Sequence, residues 1–483
     1  MFSIKVHVGE IRKPRWNYAG GESAVCKTWC NIAVLDLRTH TRETISLAWP
    51  LVLTQVGHIV TGIVDNLFLG GIGPLEQAAG VFSNNLYTLI LVFTIGFSYA
   101  STPLVTGAKE KNDPRNRASL FKNSLILNLG IALISFIVLF LASGYFHLLR
   151  QEPEVITLAI PFFNVLIFSI VPVSLFFTGK QYFEGLSNTR IALYISIGGN
   201  ALNVILNYAL INGAAGLPEM GYMGSAWATF IARCLMGLTF LWIAFKSEVS
   251  AEIRGYFFKV KINRKDLADL CRIGFNSGLQ FTFEVAAFSI AGLMAGTFGK
   301  EHLDAHGIAL NLSAFTYMFS SGISSAATIR CGMFFAQKNW TAVKRASFAA
   351  VQLVLVVMGC FAILFLLGAS VLPLAFSRES EIIAICSKLL VIAAMFQLFD
   401  GLQVTMIGVL RGLQDVKVPT FVTLIAYWIV GIPMAWLLAY KVHLKTSGIW
   451  FALLTALALV AVSLAFRLHG IIRRNLIQKL KKN

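Results

Sequence analysis

Two acidic residues in the second half of the chain, Glu284 and Asp400, lie inside long apolar stretches. Asp400 stands within an apolar run over about residues 381–410, which is long enough to span a bilayer. A carboxylate at that depth costs roughly 3 kcal/mol or more, so it is rare and marks a candidate functional site. Phe396, Asp400 and Gln403 are spaced i, i+4 and i+7, which places an acid and an amide on one helix face.

A polar stripe leads to Glu284 in its own apolar run. Its members recur every four residues: Arg272, Asn276, Gln280 and Glu284. They therefore share a helix face, which should meet protein or a water-filled cavity rather than lipid. A third acid, Asp65, lies near the end of the first apolar run, where it is either functional or a snorkelling or capping group.

Polar residues also occur within three runs of the first half. Asn203 and Asn207 stand one helical turn apart in the fifth run, and Thr229 follows the small residues that open the sixth. Amides in membrane helices usually bond to a neighbouring helix as packing groups, and a role beside Asp65 is the alternative. Pro50 in the first run either forms a hinge or simply starts the helix.

The composition is that of a helical membrane protein, with 57% hydrophobic and 13% charged residues in a chain of 483. Stretches long enough to span a bilayer recur about twelve times. They cover residues 44–69, 78–106, 118–145, 154–179, 190–213, 220–245, 267–298, 303–333, 346–373, 381–410, 416–440 and 447–471. We predict an all-α integral membrane protein with about twelve transmembrane helices.

The net charge of +17 reflects membrane topology rather than nucleic-acid binding. About 33 of the 40 Lys and Arg residues fall in alternate loops, on one side of the predicted membrane. The loops at 70–77 and 211–219 contain no Lys or Arg. By the positive-inside rule the basic side is cytoplasmic, with both termini inside.

The two halves repeat weakly at an offset of about 227 residues; for example, FEGL at 183–186 parallels LRGL at 410–413. Six spans in each half give the halves the same orientation, related by a pseudo-two-fold axis along the membrane normal. We therefore divide the chain into a polar extension, a first lobe, an inter-lobe loop, a second lobe and a basic tail: residues 1–41, 42–246, 247–266, 267–472 and 473–483. We expect the extension to be disordered or weakly packed, unless the start is placed too far upstream.

Over about residues 42–470 the chain resembles the multidrug and toxic compound extrusion (MATE) family, within it the NorM-like branch. The motifs that carry the resemblance are VDNLFLGG at 64–71, LNVILNY at 202–208, FEVAAF at 283–288 and FQLFDGLQVTMIGVLRG at 396–412. The resemblance implies two six-helix lobes and a secondary active transporter. Such a transporter exports organic cations in exchange for Na⁺ or H⁺ by alternating access. It also implies a bacterial inner-membrane protein without a cofactor, and we expect a monomer.

The resemblance also assigns roles to residues. Glu284 and Asp400 correspond to a cation-binding pair, and Asp65 to a switch in the first lobe that is linked to protons or substrate. Residues in supporting roles are Asn203, Asn207 and Thr229 around Asp65, Gln280, Phe396 and Gln403 in the cleft, and Pro50 as a hinge. Phe396 departs from the family pattern, in which Tyr is common, and so lacks a hydroxyl near the ion. A buried carboxylate pair can hold Na⁺ or carry a proton; the resemblance favours Na⁺.

Other functions fit the sequence less well. No GxxxxGK[ST] loop occurs, which argues against an ATP-driven pump, and the two-lobe repeat favours a carrier over a channel. A lipid-linked oligosaccharide flippase should show several buried cations, whereas Arg233 and Lys388 are the only basic residues predicted well inside a span. A membrane-embedded enzyme would need a constellation such as His302 and His306, which form either a metal site or a short polar turn. We predict no enzyme.

Overall fold

Each apolar run of the sequence forms a long helix in the computed structural model, which describes residues 22–149, 151–246 and 251–481. The first six helices are α1 (Glu22–Ile72), α2 (Pro74–Glu110), α3 (Pro114–Ser143), α4 (Pro153–Gly185), α5 (Thr189–Asn212) and α6 (Tyr222–Lys246). The second six are α7 (Arg264–Gly296), α8 (Lys300–Ala336), α9 (Trp340–Leu367), α10 (Ser380–Gly412), α11 (Lys417–Lys441) and α12 (Lys445–Leu480). A short helix, Ala251–Phe257, lies between the two sets.

Eleven of these twelve helices are long and apolar enough to cross a membrane. The exception is α8, because serines and threonines occupy its inner face: Ser313, Thr316, Ser320, Ser321, Ser324, Ser325 and Thr328 are all buried. Its polar groups face other helices rather than lipid, which explains how a less apolar helix fits the bundle. The predicted fold class is confirmed.

Helix α1 begins earlier than the sequence predicts. The first span was placed at residue 44, whereas the helix extends back to Glu22. Residues 22–41 of the predicted extension are thus helical, and residues 1–21 lie outside the described residues.

The same local structure recurs in both halves. Asp113 and Asn339 cap α3 and α9 by accepting from the backbone N–H three residues later. Residues with positive φ precede these caps, Asn112 at 50° and Lys338 at 56°. Such a φ is uncommon outside glycine, so its occurrence at matching positions reflects one turn structure used twice.

Helix packing is also duplicated. Thr102 Oγ1 of α2 donates to the Gln181 carbonyl of α4 at 3.1 Å, and Thr328 Oγ1 of α8 donates to the Gly408 carbonyl of α10 at 2.8 Å. In each lobe the second helix packs on the fourth, the fourth on the sixth and the fifth on the sixth. Helices α1–α6 and α7–α12 therefore form two similar lobes.

The most extensive contacts between the lobes are made by two equivalent helix pairs, α1 with α8 and α2 with α7. Glycines allow close approach in both pairs. A Cβ on Gly322 would lie 2.7 Å from the Val52 nitrogen, and one on Gly96 would lie 2.8 Å from the Gly278 Cα. These approaches fall in the helix halves that lead to the basic loops, so the lobes touch on that side.

The charge bias predicts which side is inside, and cysteine labelling tests it. In a variant without the seven native cysteines, Glu219→Cys between α5 and α6 should react with an impermeant maleimide in intact cells. Gln478→Cys near the end of α12 should react only after the cells are opened. Both positions are exposed, so access alone decides the outcome. Labelling of Gln478→Cys but not Glu219→Cys in intact cells would reverse the topology.

Candidate functional site: two carboxylate centres

The first centre is built by three helices of the second lobe. Gln403 Nε2 on α10 donates to Glu284 Oε1 on α7 at 3.0 Å, and Tyr427 Oη on α11 donates to Gln403 Oε1 at 3.2 Å. Tyr427 thereby fixes the amide so that its NH₂ group faces the carboxylate. Gln403 acts here as a donor that positions Glu284, with its own oxygen occupied by Tyr427.

Both acids of this centre are buried, Glu284 at 6% and Asp400 at 3% exposure. Neither forms an ion pair with a described Lys or Arg, and Asp400 has no hydrogen-bond partner among the described residues. A buried, unpaired carboxylate is expensive, and these two carboxylates lie near enough to interact electrostatically, so their charges also repel each other. The centre therefore favours a cation or a proton as its missing partner.

A small cavity of about 10 Å³, roughly the space that one water molecule needs, adjoins Glu284. Gln280, Tyr317 and Arg411 line it from the same lobe, and Tyr99 of α2 lines it from the other. The Arg411 guanidinium lies 4.7 Å from the centroid of the Tyr99 ring, so it stacks on an aromatic face rather than pairing with an acid. The cavity is thus shared by the two lobes, and relative movement of the lobes would change its shape.

Phe396 lies one turn from Asp400 and belongs to an aromatic layer. Its ring centroid is 6.0 Å from that of Phe288 and 5.4 Å from that of Trp450. Tyr427 joins the layer, 6.1 Å from Phe288. Phe396 therefore contributes an apolar wall beside the centre, and the nearby hydroxyl comes from Tyr427.

The second centre surrounds Asp65 in the first lobe. Asn207 Nδ2 donates to Asp65 Oδ1 at 2.7 Å, and Thr229 Oγ1 donates to Oδ2 over a longer 3.4 Å. Asn203 Nδ2 donates to Thr229 Oγ1 at 3.3 Å. The structure thus brings together all four residues that were assigned to the switch at Asp65, on α1, α5 and α6. Every direct partner of Asp65 here is neutral.

A family model, MatE, matches residues 50–209 and 277–437, one segment in each lobe. The chain belongs to the MatE family. The two matched segments correspond to the two halves of the sequence repeat, so the family pattern itself is present twice in this chain.

Relatives of this MatE chain align with it over nearly its whole length. A protein of Pseudomonas putida named probable multidrug resistance protein NorM is 31% identical over 437 residues, 89% of this chain and 94% of the relative. The multidrug resistance protein NorM of Burkholderia vietnamiensis is 28% identical, covering 90% and 95%.

Solved structures share the fold at low sequence identity. The eukaryotic MATE transporter AtDTX14 superposes with a TM-score of 0.83 at 17% identity, covering 91% of this chain and 99% of that one. A multidrug resistance MATE family transporter in an outward-facing conformation superposes with a TM-score of 0.82 at 16% identity, covering 90% and 96%.

Pro50 lies inside the unbroken helix α1, and Thr54 Oγ1 donates to its carbonyl at 2.8 Å. The structure therefore excludes the reading in which Pro50 starts the helix. A proline in a helix interior removes a backbone hydrogen bond and weakens the helix there. The hinge role stays a prediction.

Buried basic residues are more numerous than the sequence prediction allowed. Three basic residues are buried at 2–3% exposure: Lys180, Arg330 and Arg411. Lys388, in contrast, is exposed. The prediction that Arg233 and Lys388 are the only basic residues well inside the spans was therefore wrong. Helices α4 and α10 continue past the predicted span ends to Gly185 and Gly412. Their last turns pack against other helices instead of reaching a polar loop.

Two of these cations have acidic partners. Lys180 Nζ lies 3.8 Å from Glu184 Oε1 and donates to Gln55 Oε1 at 3.1 Å. Arg330 pairs with Glu43 on α1. The i, i+4 spacing of Lys180 and Glu184 is the signal in the sequence that could have revealed the first pair.

The two histidines of the HxxxH sequence bond to α12 separately. His302 Nδ1 is 2.8 Å from Thr446 Oγ1, and His306 Nδ1 accepts from Trp450 Nε1 at 3.1 Å. Among the described residues there is no group of three or more His, Cys, Asp or Glu that could hold a metal ion. The pair therefore joins α8 to α12.

Proposed function

We propose that this MatE-family protein is a multidrug efflux transporter that exports organic cations in exchange for Na⁺, with H⁺ as the alternative coupling ion. It works as a monomer in the bacterial inner membrane, with both termini in the cytoplasm. The observation that carries the proposal is the buried pair Glu284 and Asp400, which lacks an ion-pair partner among the described residues. The names of the NorM relatives support the drug substrates.

The carboxylate pair provides the differential affinity that exchange requires. An ion can shift a conformational equilibrium only if it binds the two states unequally. A bound cation relieves the repulsion between Glu284 and Asp400 and draws α7 and α10 together. Because Tyr99 of the other lobe lines the adjoining cavity, we expect loss of the ion to change a contact between the lobes.

Buried cations do not favour the flippase alternative. Lys180 and Arg330 are paired with Glu184 and Glu43, and Arg411 stacks on Tyr99. At the centre of the second lobe the two carboxylates outnumber the single guanidinium. Organic and inorganic cations therefore match these sites better than the phosphates of a lipid-linked sugar.

Transport of ethidium by purified protein in vesicles tests the proposal. A Na⁺ gradient and an H⁺ gradient are imposed separately, with protein-free vesicles as the control. We expect counterflow driven by the Na⁺ gradient and abolished when that gradient is collapsed. Transport driven by the H⁺ gradient alone would identify the proton as the coupling ion, and no response to either gradient would refute exchange.

At Asp65 we expect Asp65→Asn to reduce ethidium resistance of cells at least about tenfold with unchanged protein level. The acid among neutral donors can alter its bonding when it gains a proton, whereas Asn cannot. Glu219→Gln, which removes an exposed acid of the same lobe, serves as the matched control. Parental resistance of Asp65→Asn would make this residue structural.

A further inference from the structure

A pocket of about 900 Å³ lies on the basic face of the protein, away from both carboxylate centres. It is formed by the α2–α3 turn, the linker after the short helix Ala251–Phe257, and the start of α7. Six basic side chains line it: Lys111, Arg115, Lys259, Lys261, Arg264 and Lys265. All six are exposed, and none forms an ion pair or side-chain hydrogen bond with another described residue.

The three acids that line the pocket are already engaged. Asp113 accepts from the Asn116 N–H at 2.9 Å, and Asp266 accepts from Ser119 Oγ at 2.6 Å. Asp269 pairs with Arg272 at 3.1 Å. Because six basic side chains line the pocket against these three acids, one of which is paired with Arg272, the pocket keeps a net positive charge. The N-terminal ends of α3 and α7, which also border the pocket, add positive potential.

The linker is held in place where it leaves the short helix. Phe257 and Val260 are buried, and Lys122 Nζ donates to the Val260 carbonyl at 2.9 Å. The residues between and beyond them face outward, with Phe258 79% and Ile262 54% exposed. A fixed segment thus presents large apolar side chains next to Lys259 and Lys261.

We propose that this pocket binds the phosphate headgroup of an anionic phospholipid. The six cations contact the headgroup, while Phe258 and Ile262 lie against its acyl chains. Apolar side chains beside lysines are the arrangement expected at the boundary between headgroups and acyl chains. A free phosphate would use the cations but would leave the exposed apolar pair without a partner, so the membrane lipid is the better match.

Native mass spectrometry of the full-length protein tests this proposal, with phosphatidylglycerol, phosphatidylcholine and inorganic phosphate as separate probes. We expect retention of phosphatidylglycerol over phosphatidylcholine. Lys259→Gln/Lys261→Gln/Arg264→Gln should weaken phosphatidylglycerol binding at least about tenfold, because each basic residue contributes to the attraction of an anionic lipid. The matched control is Arg473→Gln/Arg474→Gln/Lys481→Gln, which removes the same charge from exposed positions of the tail and should bind like the parent.

The apolar pair distinguishes the lipid from free phosphate. Phe258→Ser/Ile262→Ser should weaken phosphatidylglycerol binding and leave the cationic groups intact. Unchanged lipid binding by this variant, or protection against heat by inorganic phosphate equal to that by phosphatidylglycerol, would overturn the proposal in favour of a free anion. Equal loss of binding in the tail variant would show that overall charge, not the pocket, attracts the lipid.

Discussion

Replacing Glu284 by Gln, or Asp400 by Asn, is expected to abolish ion-driven efflux while the protein remains folded in the membrane. Either change removes one of two buried charges that lack an ion-pair partner among the described residues. The amides are close in size to the acids, so packing should be kept. What is lost is the repulsion that a bound cation relieves, and with it the ion's preference for one conformation.

The measurement is ethidium efflux in vesicles with and without a Na⁺ gradient, together with the shift in thermal unfolding midpoint on adding Na⁺. In both variants the ion-stimulated component should fall at least about tenfold and the Na⁺-dependent shift should vanish. Glu379→Gln, an exposed acid just before α10, is the control and should behave like the parent. If both buried variants keep ion-stimulated efflux of the parental size, the coupling site lies elsewhere.

The fold could be predicted because the length and repetition of apolar runs are properties of the sequence alone. Even α8, the least apolar helix, was assigned correctly over residues 303–333. The ends of helices were harder to predict, since α4 and α10 continue until Gly185 and Gly412. What allows these last turns to stay buried is the packing of other helices, which no local pattern records.

At the sites, the sequence identified the three acids, the neutral neighbours of Asp65 and Gln403, but it did not identify Tyr427, which orients Gln403 beside Glu284. The spacing of Asn203 and Asn207 placed both amides on one face of a helix. The resemblance to the MATE family then assigned them to positions around Asp65. The chain from Tyr427 through Gln403 to Glu284 joins three helices, so spacing within one helix could not reveal it.

The sequence repeat accounts for the helices of the two lobes but not for their buried acidic residues. At an offset of about 227 residues, Glu284 corresponds to Gly57 and Asp400 to Val173. Each carboxylate centre is therefore specific to its lobe, although the helices around it are duplicated. Conversion of one lobe's site into the other's would require substitutions rather than a change of fold.

The second large effect is expected at Lys180 and Glu184, and it concerns stability. Both side chains are almost completely buried, at 2% and 1% exposure. Removing one partner of a buried ion pair costs about 3–5 kcal/mol because the remaining charge is uncompensated. Lys180→Met should be the more damaging change, since it leaves the Glu184 carboxylate alone. After Glu184→Gln, Lys180 keeps its bond to Gln55 and its contact with the Phe177 ring.

Thermal unfolding of the purified protein measures this difference. We expect a midpoint several degrees lower for Lys180→Met, a smaller decrease for Glu184→Gln, and partial recovery in Lys180→Met/Glu184→Leu, where no charge remains. The exposed pair Arg272–Asp269, at 47% and 34% exposure, is the matched control, because such surface pairs contribute only about 0–1 kcal/mol. A double variant less stable than Lys180→Met would show that the side chains contribute independently, through packing and the Gln55 bond, rather than as an ion pair.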